Sequence, residues 1–356
     1  MPSFINDKIP IEFDNNSITY DLNKCINCNH CNDVCKNKAG VLSNKIENKI
    51  CIDCGLCVRE CKSYALSFVK NKFELLNIIS SKKNDVILIL DDNSKCILEK
   101  HYNIDFNILI GLFKKIGIKF IFDLNYGHSI HIIKEAKEFL KSIKENKNNP
   151  FITSICPSFS KYIKYYNLAA YPYISKISSP LMFELDEIKR YLYKEYKLDK
   201  SLYFIYLSEC SSVKNSKIQN FNSIMAAEII ELVDFLRIDI NAISSANMDK
   251  TNDLLYNKSN YNDLELILKY ANYLYCGNFD IEIKYKKIRN IDYAKEGIIN
   301  IFGKDIKILI SNNIAYINKI MPKILIGSKK YDLIHVLGCD QCHYDYYIDY
   351  KKILEL

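Results

Sequence analysis

The residues best suited to chemistry in this sequence are eight cysteines within its first 61 residues, in two runs of identical spacing, C-x2-C-x2-C-x3-C. The first run contains Cys25, Cys28, Cys31 and Cys35, and the second contains Cys51, Cys54, Cys57 and Cys61. Three thiolates so closely spaced can bind three irons of one [4Fe–4S] cube, because the backbone between them turns around the cluster. Zinc is the alternative, but zinc ligands usually come as pairs of cysteines separated by a long loop. The spacing therefore predicts iron–sulfur chemistry and electron transfer.

The two runs resemble those of two-cluster ferredoxins, in which the last cysteine of each run binds the opposite cluster. The resemblance implies two [4Fe–4S] clusters with crosswise ligands. Site A would consist of Cys25, Cys28, Cys31 and Cys61, and site B of Cys51, Cys54, Cys57 and Cys35. Lys36 and Lys62 replace the proline that usually follows each run, which removes no ligand. We expect residues 1–70 to form a ferredoxin-like α+β domain.

Composition excludes several classes of protein. Hydrophobic residues make up 49% and charged residues 26% of the 356 residues, a balance typical of globular proteins and not of disordered ones. The apolar runs are too short to span a membrane and no signal segment opens the chain, so we expect a cytoplasmic protein with reduced cysteines. The net charge of +7 comes almost wholly from lysine without a basic cluster in the sequence, so we expect no nucleic-acid partner.

After residue 70, short apolar segments alternate with amphipathic ones. The apolar segments predict buried strands at Val86–Leu90, Lys119–Leu124, Leu202–Leu207, Ile306–Ile310 and Leu333–Leu337. Apolar residues at helical spacing predict helices at Asn107–Ile116, 129–146, Ala226–Leu236 and Ala315–Ile324. The alternation predicts an α/β fold with parallel strands, which binds ligands at the carboxyl ends of the strands. The sequence has no glycine-rich loop for a dinucleotide or phosphate, so neither a nicotinamide nor an ATP site is predicted.

Four of the six remaining cysteines follow predicted strands. Cys156 follows a strand-like segment at Phe151–Ser154, Cys210 follows Leu202–Leu207, and Cys339 and Cys342 follow Leu333–Leu337. A cysteine that only fills space is expected inside an element, where it packs as a small hydrophobic side chain. The strand-end positions therefore predict a shared metal site, site C, formed by these four cysteines.

Three further motifs follow the cysteine runs in an order that resembles the [FeFe]-hydrogenases, and in particular their short, divergent branches proposed as hydrogen sensors. They are Thr153-Ser154-Ile155-Cys156-Pro157, Ser208-Glu209-Cys210-x3-Lys214 and Leu337-Gly338-Cys339-x2-Cys342. The resemblance implies a two-lobed α/β domain over residues 71–356 with a six-iron centre, the H-cluster. It implies that Cys156, Cys210 and Cys339 bind a third [4Fe–4S] cube, which Cys342 bridges to a two-iron unit. Lys214 would contact a cyanide ligand of that unit.

The sequence departs from the family at each of these motifs. Ile155 stands where the family has a cysteine that passes protons to the two-iron unit. In the second motif, Glu209 replaces a proline, and Lys214 lies one position later than the family's lysine. Only two residues separate Cys339 from Cys342, where the family has three, two of them glycine. These departures favour a third cube over a complete six-iron centre.

The motifs lead to two main hypotheses for the function. The first is an anaerobic, ferredoxin-linked oxidoreductase of the [FeFe]-hydrogenase type, which activates or senses hydrogen slowly and moves electrons through two [4Fe–4S] clusters. Its partners would be a redox protein such as a ferredoxin, together with H2 and protons. The alternative is a non-catalytic electron-transfer or cluster-binding protein on the same scaffold, and an iron–sulfur assembly factor is a third hypothesis of this kind.

Overall fold

The computed structural model describes residues 9–12, 14–145, 149–198, 202–250, 256–301, 303–339 and 346–348. The chain forms two compact units. The first comprises residues 1–68, 130–179 and 259–346, and the second comprises residues 69–129, 180–258 and 347–356. Among the described residues, no helix has both the length and the apolar character needed to cross a membrane.

The strands, in chain order, are β1 (Ile18–Tyr20), β2 (Leu66–Phe68), β3 (Asp85–Leu90), β4 (Phe120–Asp123), β5 (Phe151–Ile152), β6 (Leu202–Leu207), β7 (Phe221–Ile224), β8 (Tyr256–Tyr261), β9 (Lys284–Ile288), β10 (Ile291–Ile301), β11 (Lys304–Ser311), β12 (Leu333–Val336) and β13 (Tyr346–Ile348). The helices are α1 (His30–Asn37), α2 (Leu56–Arg59), α3 (Lys72–Ser81), α4 (Asp92–Tyr102), α5 (Phe106–Ile116), α6 (Asn125–Lys144), α7 (Pro157–Tyr166), α8 (Pro180–Tyr196), α9 (Ser211–Lys214), α10 (Ala226–Leu236), α11 (Asp263–Cys276) and α12 (Ile314–Leu325).

A parallel sheet in the order β4–β3–β6–β7 forms the centre of the second unit. The residues of β3 alternate between two cores. Leu88 and Leu90 pack in the core that α5 and α10 cover, whereas Ile87 and Ile89 pack in the core that α8 covers. Burial on both faces explains why this strand is a continuous apolar run. The predicted parallel α/β architecture is confirmed here.

The first unit contains a mixed sheet in the order β5–β12–β11–β10–β9. Strands β5, β12 and β11 are parallel, as predicted, and β10 and β9 extend the sheet antiparallel. The sequence pattern did not predict β9, because this edge strand is the largely exposed segment Lys284–Ile288 and has no apolar run. Since β5 and β12 are parallel neighbours, the segments that follow them, with Cys156 and Cys339, leave the same edge of the sheet.

The two cysteine runs fold in the same way. The second residue after the first cysteine of each run, Asn27 or Asp53, has a positive φ, at 57° and 56°. The residue after each second cysteine, Asn29 or Gly55, also has a positive φ and immediately precedes α1 or α2. Asparagine, aspartate and glycine are the residues that adopt this conformation most readily. Each loop can therefore curl around a small volume before its helix begins.

Candidate iron–sulfur sites

The four cysteines assigned to site A line one small cavity, together with the side chains of Tyr20 and Leu66. These cysteines are Cys25, Cys28, Cys31 and Cys61, so the structure brings the last cysteine of the second run to the first run. Leu66 N donates a hydrogen bond to Cys61 Sγ at 3.3 Å. Burial raises the pKa of Cys61, but hydrogen bonds from Leu66 and Ser63 outweigh it and bring the pKa below its usual value.

A second cavity is lined by the four cysteines of site B, Cys35, Cys51, Cys54 and Cys57, and by apolar side chains that include Ile9, Ile11 and Ile52. Burial raises the pKa of Cys35 to about 12 and raises the pKa of Cys51 and Cys57 well above the usual value. A thiolate in such surroundings needs a cation, because the apolar lining disfavours an uncompensated negative charge.

The linings of both cavities suit a [4Fe–4S] cluster. Each includes four cysteines, the number of protein ligands that one cube requires. Each also has a backbone amide that donates to a cysteine sulfur, Leu66 N to Cys61 at site A and Asp53 N to Cys51 at 3.4 Å at site B. Hydrogen bonds of this kind are a common feature of iron–sulfur sites, where they help to set the reduction potential.

Two of the four cysteines of site C lie close together in the first unit. Cys156 is buried and is the residue before α7, with Pro157 at the first helical position. Gly338 N donates to Cys156 Sγ at 3.2 Å. Burial, followed by the neighbouring Cys339, raises the pKa of Cys156 to about 11, and backbone amides of Phe159, Gly338 and Ser158 act in the opposite direction. The sulfur thus faces amide donors at a helix N-terminus, an arrangement that favours negative charge.

Site B is next to this cysteine pair. After burial, the charges of Cys35, Cys339 and Cys156 are the effects that raise the pKa of Cys54. Cys54 therefore interacts electrostatically both with its partner in site B and with the pair at site C. The same hydrophobic core contains Cys57 and Cys156, and Cys54 and Cys339 pack against it.

Replacing Gly338 with alanine should disturb Cys156. The added Cβ would lie 3.2 Å from Cys156 Sγ and 3.3 Å from both Ser158 Cβ and Ile314 Cδ1. Overpacking of this kind typically costs about 1–3 kcal/mol, so we expect a lower unfolding free energy in denaturant titrations. An alanine variant as stable as the parent protein would indicate that the segment around Gly338 is loosely held.

Cys210 lies in the second unit, after β6 and immediately before α9. Two neighbours of Cys210 have structural partners in that unit. Glu209 Oε1 accepts hydrogen bonds from Ala226 N at 2.9 Å and from Ser94 Oγ at 3.3 Å, so its carboxylate caps the start of α10. Glutamate in place of the family's proline therefore has a local structural role.

The second neighbour, Lys214, ends α9 and is fully buried. Its Nζ donates to Glu228 Oε2 at 2.6 Å and to the carbonyl of Ser223 at 3.2 Å. The side chains of Lys214 and Glu228 are 0% and 5% exposed, so water cannot replace either partner. The ammonium is thereby fixed to the second unit's own carboxylate.

Cys342, with the two residues that precede it, lies outside the described residues.

A family model of the C-terminal domain of the iron-only hydrogenase large subunit matches residues 94–342. The chain belongs to the iron-only hydrogenase family. The predicted resemblance to [FeFe]-hydrogenases and the predicted hydrogenase-like α/β fold are thus confirmed. A solved structure of an [FeFe]-hydrogenase in an H-cluster assembly series has a TM-score of 0.67 and 16% identity, and the match covers 81% of this chain and 87% of that chain.

Curated relatives within this family have two kinds of name. Iron hydrogenase 1 of Clostridium pasteurianum is 21% identical, over 91% of this chain and 63% of the relative, so the chain spans less than two thirds of that hydrogenase. A probable cytosolic Fe-S cluster assembly factor of Nematostella vectensis is 23% identical, over 81% of this chain and 75% of the relative. Protein NAR1 of Arabidopsis thaliana is 22% identical, over 83% and 71%. The relatives that this chain matches therefore include both a hydrogenase and an assembly factor.

Sequence reasoning did not identify the polar contacts of Thr153 and Ser154, the residues just before Ile155 and Cys156. Ser154 donates from both N and Oγ to Glu135 Oε1, at 2.8 and 3.0 Å, and His131 Nε2 lies 3.7 Å from the other carboxylate oxygen. His335 in β12 contacts Thr153 Oγ1 at 2.9 Å, and burial, followed by His131, lowers the pKa of His335 to about 4. Glu135 lies on the same face of α6 as buried apolar residues. This position in the sequence pattern could have indicated that Glu135 is buried and needs a polar partner.

Proposed function

We propose that this chain is a non-catalytic electron-transfer and iron–sulfur-cluster-binding protein on an [FeFe]-hydrogenase-like scaffold. Residues 1–70 form the ferredoxin-like domain and hold one [4Fe–4S] cluster at site A and one at site B. Residues 71–356 form the two-lobed hydrogenase-like domain. The family motifs imply a third cube, with Cys156, Cys210, Cys339 and Cys342 as its ligands. Each cube supplies one-electron transfer when bound.

The observation that carries this proposal is the buried ion pair of Lys214. In the hydrogenases the motif's lysine, one position earlier than Lys214, contacts a cyanide of the two-iron unit. Here the ammonium already donates to Glu228 at 2.6 Å and to Ser223 O. Breaking a buried ion pair costs several kcal/mol, so moving this ammonium to hold a two-iron unit would be unfavourable.

Ile155 supports the same conclusion. The family has a thiol at this position to exchange protons with the two-iron unit, and an isoleucine side chain has no proton to exchange. Positioned proton transfer typically contributes about 10²–10⁴-fold to a reaction rate. This chain lacks that thiol, and its Lys214 is paired with Glu228. It is therefore better suited to binding clusters and transferring electrons than to hydrogen turnover.

The relatives favour this function as well. Those from Nematostella vectensis and Arabidopsis thaliana match most of this chain, and the first is named as a cytosolic assembly factor. By analogy we place this chain in the cytoplasm, with a redox protein such as a ferredoxin as its partner. Slow hydrogen activation or sensing is the second candidate, favoured by the match between 91% of this chain and a clostridial iron hydrogenase.

Infrared spectroscopy tests the proposal directly. Chain loaded with iron and sulfide without oxygen, then treated with the maturation proteins that build the two-iron unit, should have no carbonyl or cyanide bands and should evolve no hydrogen. Its iron content should approach about twelve per chain, as three cubes require. The clostridial hydrogenase, treated in parallel, is the positive control. Carbonyl and cyanide bands together with hydrogen evolution would contradict a non-catalytic role and establish the second candidate.

A further inference from the structure

Asp53, which lies between Cys51 and Cys54 in the second run, forms an ion pair with Lys161 of α7. Lys161 Nζ is 2.6 Å from Asp53 Oδ2, and Asn15 Nδ2 donates to Asp53 Oδ1 at 2.8 Å. Asp53 is only 3% exposed, and the side chain of Lys161 is 27% exposed. Both carboxylate oxygens thus have fixed partners, and charge-assisted hydrogen bonds of this kind hold one geometry.

The pair connects two of the candidate cluster sites. Asp53 N donates to Cys51 Sγ, which fixes its backbone to site B. Lys161 belongs to the helix that begins directly after Cys156 of site C. Burial lowers the pKa of Lys161, but Asp53 and then Cys51 raise it above its usual value, so the charges of the site B loop act on this ammonium.

We infer that the Asp53–Lys161 pair sets the reduction potential of the cluster at site B. The inference rests on the proposed function, because it requires a [4Fe–4S] cluster there. Reduction adds one electron to the cluster and breaks no bond, so the reduced cluster carries one more negative charge. A fixed ammonium nearby stabilises the reduced state, and a fixed carboxylate destabilises it. Salt screens partly buried charges less than exposed ones, so the effect persists at physiological ionic strength.

The two charges can be removed separately by substitutions that suit the local backbone. Asparagine suits the positive φ of Asp53, because Asn27 occupies the equivalent position of the first run with nearly the same φ. Methionine at position 161 keeps a long apolar stem and removes the charge. Arginine at position 161 keeps the charge and is the conservative variant. Lys164, an exposed lysine near the end of the same helix, provides a matched control.

The test is a redox titration of the full chain, loaded with iron and sulfide, in which each cluster is followed by its paramagnetic signal. Lys161→Met should shift the site B potential to a more negative value, and Asp53→Asn should shift it to a more positive value. Lys161→Arg and Lys164→Met should leave it near that of the parent protein. The cluster at site A is an internal reference in every variant and should not move.

An unchanged site B potential in Lys161→Met, at unchanged iron content, would overturn the inference. Shifts of the same sign in Lys161→Met and Asp53→Asn would also overturn it, because opposite charges must act in opposite directions. If Asp53→Asn fails to fold, the comparison of Lys161→Met with Lys161→Arg still decides. If Lys161→Met, which leaves the buried Asp53 carboxylate without its cation, fails to fold, the shift in Asp53→Asn decides instead. A parent protein that takes up no iron at site A or site B would instead contradict the proposed function.

Discussion

Replacing Cys35 with alanine is expected to remove the cluster at site B and to leave the cluster at site A intact. Cys35 belongs to the first run by sequence, but it lines the cavity of the second run. The reciprocal change, Cys61→Ala, should remove the cluster at site A alone, because Cys61 lines the first cavity. Each variant should lose about four irons per chain, since a cube needs all of its protein ligands for stable binding.

Iron analysis and paramagnetic spectra of the two variants, prepared without oxygen, would measure this exchange. Cys96→Ala is the control, because this cysteine is outside the linings of both cavities. Loss of the site A signal in Cys35→Ala would mean that each run binds its own cluster, which contradicts the crosswise assignment. Stoichiometric zinc in place of iron in the parent protein would contradict both assignments.

Replacing Lys214 with methionine should strongly destabilise the second unit. The substitution would leave Glu228 as a buried carboxylate without a cation, although Met225 N would still donate to it at 2.9 Å. Removing one partner of a buried ion pair typically costs about 3–5 kcal/mol of unfolding free energy. Denaturant titration followed by circular dichroism should detect a loss of this size.

The double variant Lys214→Met/Glu228→Gln should recover most of that loss, because it removes the uncompensated charge. Lys70→Met is a suitable control, since Lys70 forms an exposed ion pair with Glu231 and such pairs contribute at most about 1 kcal/mol. A small effect in Lys214→Met, similar to that of Lys70→Met, would mean that the ammonium is free for other ligands. Such a result would weaken the argument against a two-iron unit.

Regular spacing made much of this structure predictable. The strand Leu202–Leu207 and the helix Ala226–Leu236 have the predicted bounds, because their apolar residues repeat with the period of one element. The two crosswise cysteine sets are those that the resemblance to two-cluster ferredoxins implies, and the same two sets line the two cavities. For the strand and the helix, the information lies within one short stretch of sequence.

Features that depend on distant residues were not predictable in this way. Glu209 and Lys214 contact their partners, Ala226 and Glu228, because β6, β7 and α10 pack together in the folded structure. The bond from Asp53 to Lys161 joins residues 108 positions apart, and nothing in either local sequence indicates it. These polar contacts give structural roles to Glu209 and Lys214, two residues at which the chain departs from the family's motifs.

The shared core of the first unit has a consequence for how the protein responds to its metal supply. Ile9, Ile11 and Ile52 line site B and belong to the same hydrophobic core as Phe159 of α7 and Val336 of β12. Binding of a metal cluster contributes directly to folding free energy where its ligands form part of the core. Loss of the cluster proposed at site B would therefore loosen this core, and destabilised proteins are removed by cellular proteases. Iron starvation should therefore lower the abundance of this protein.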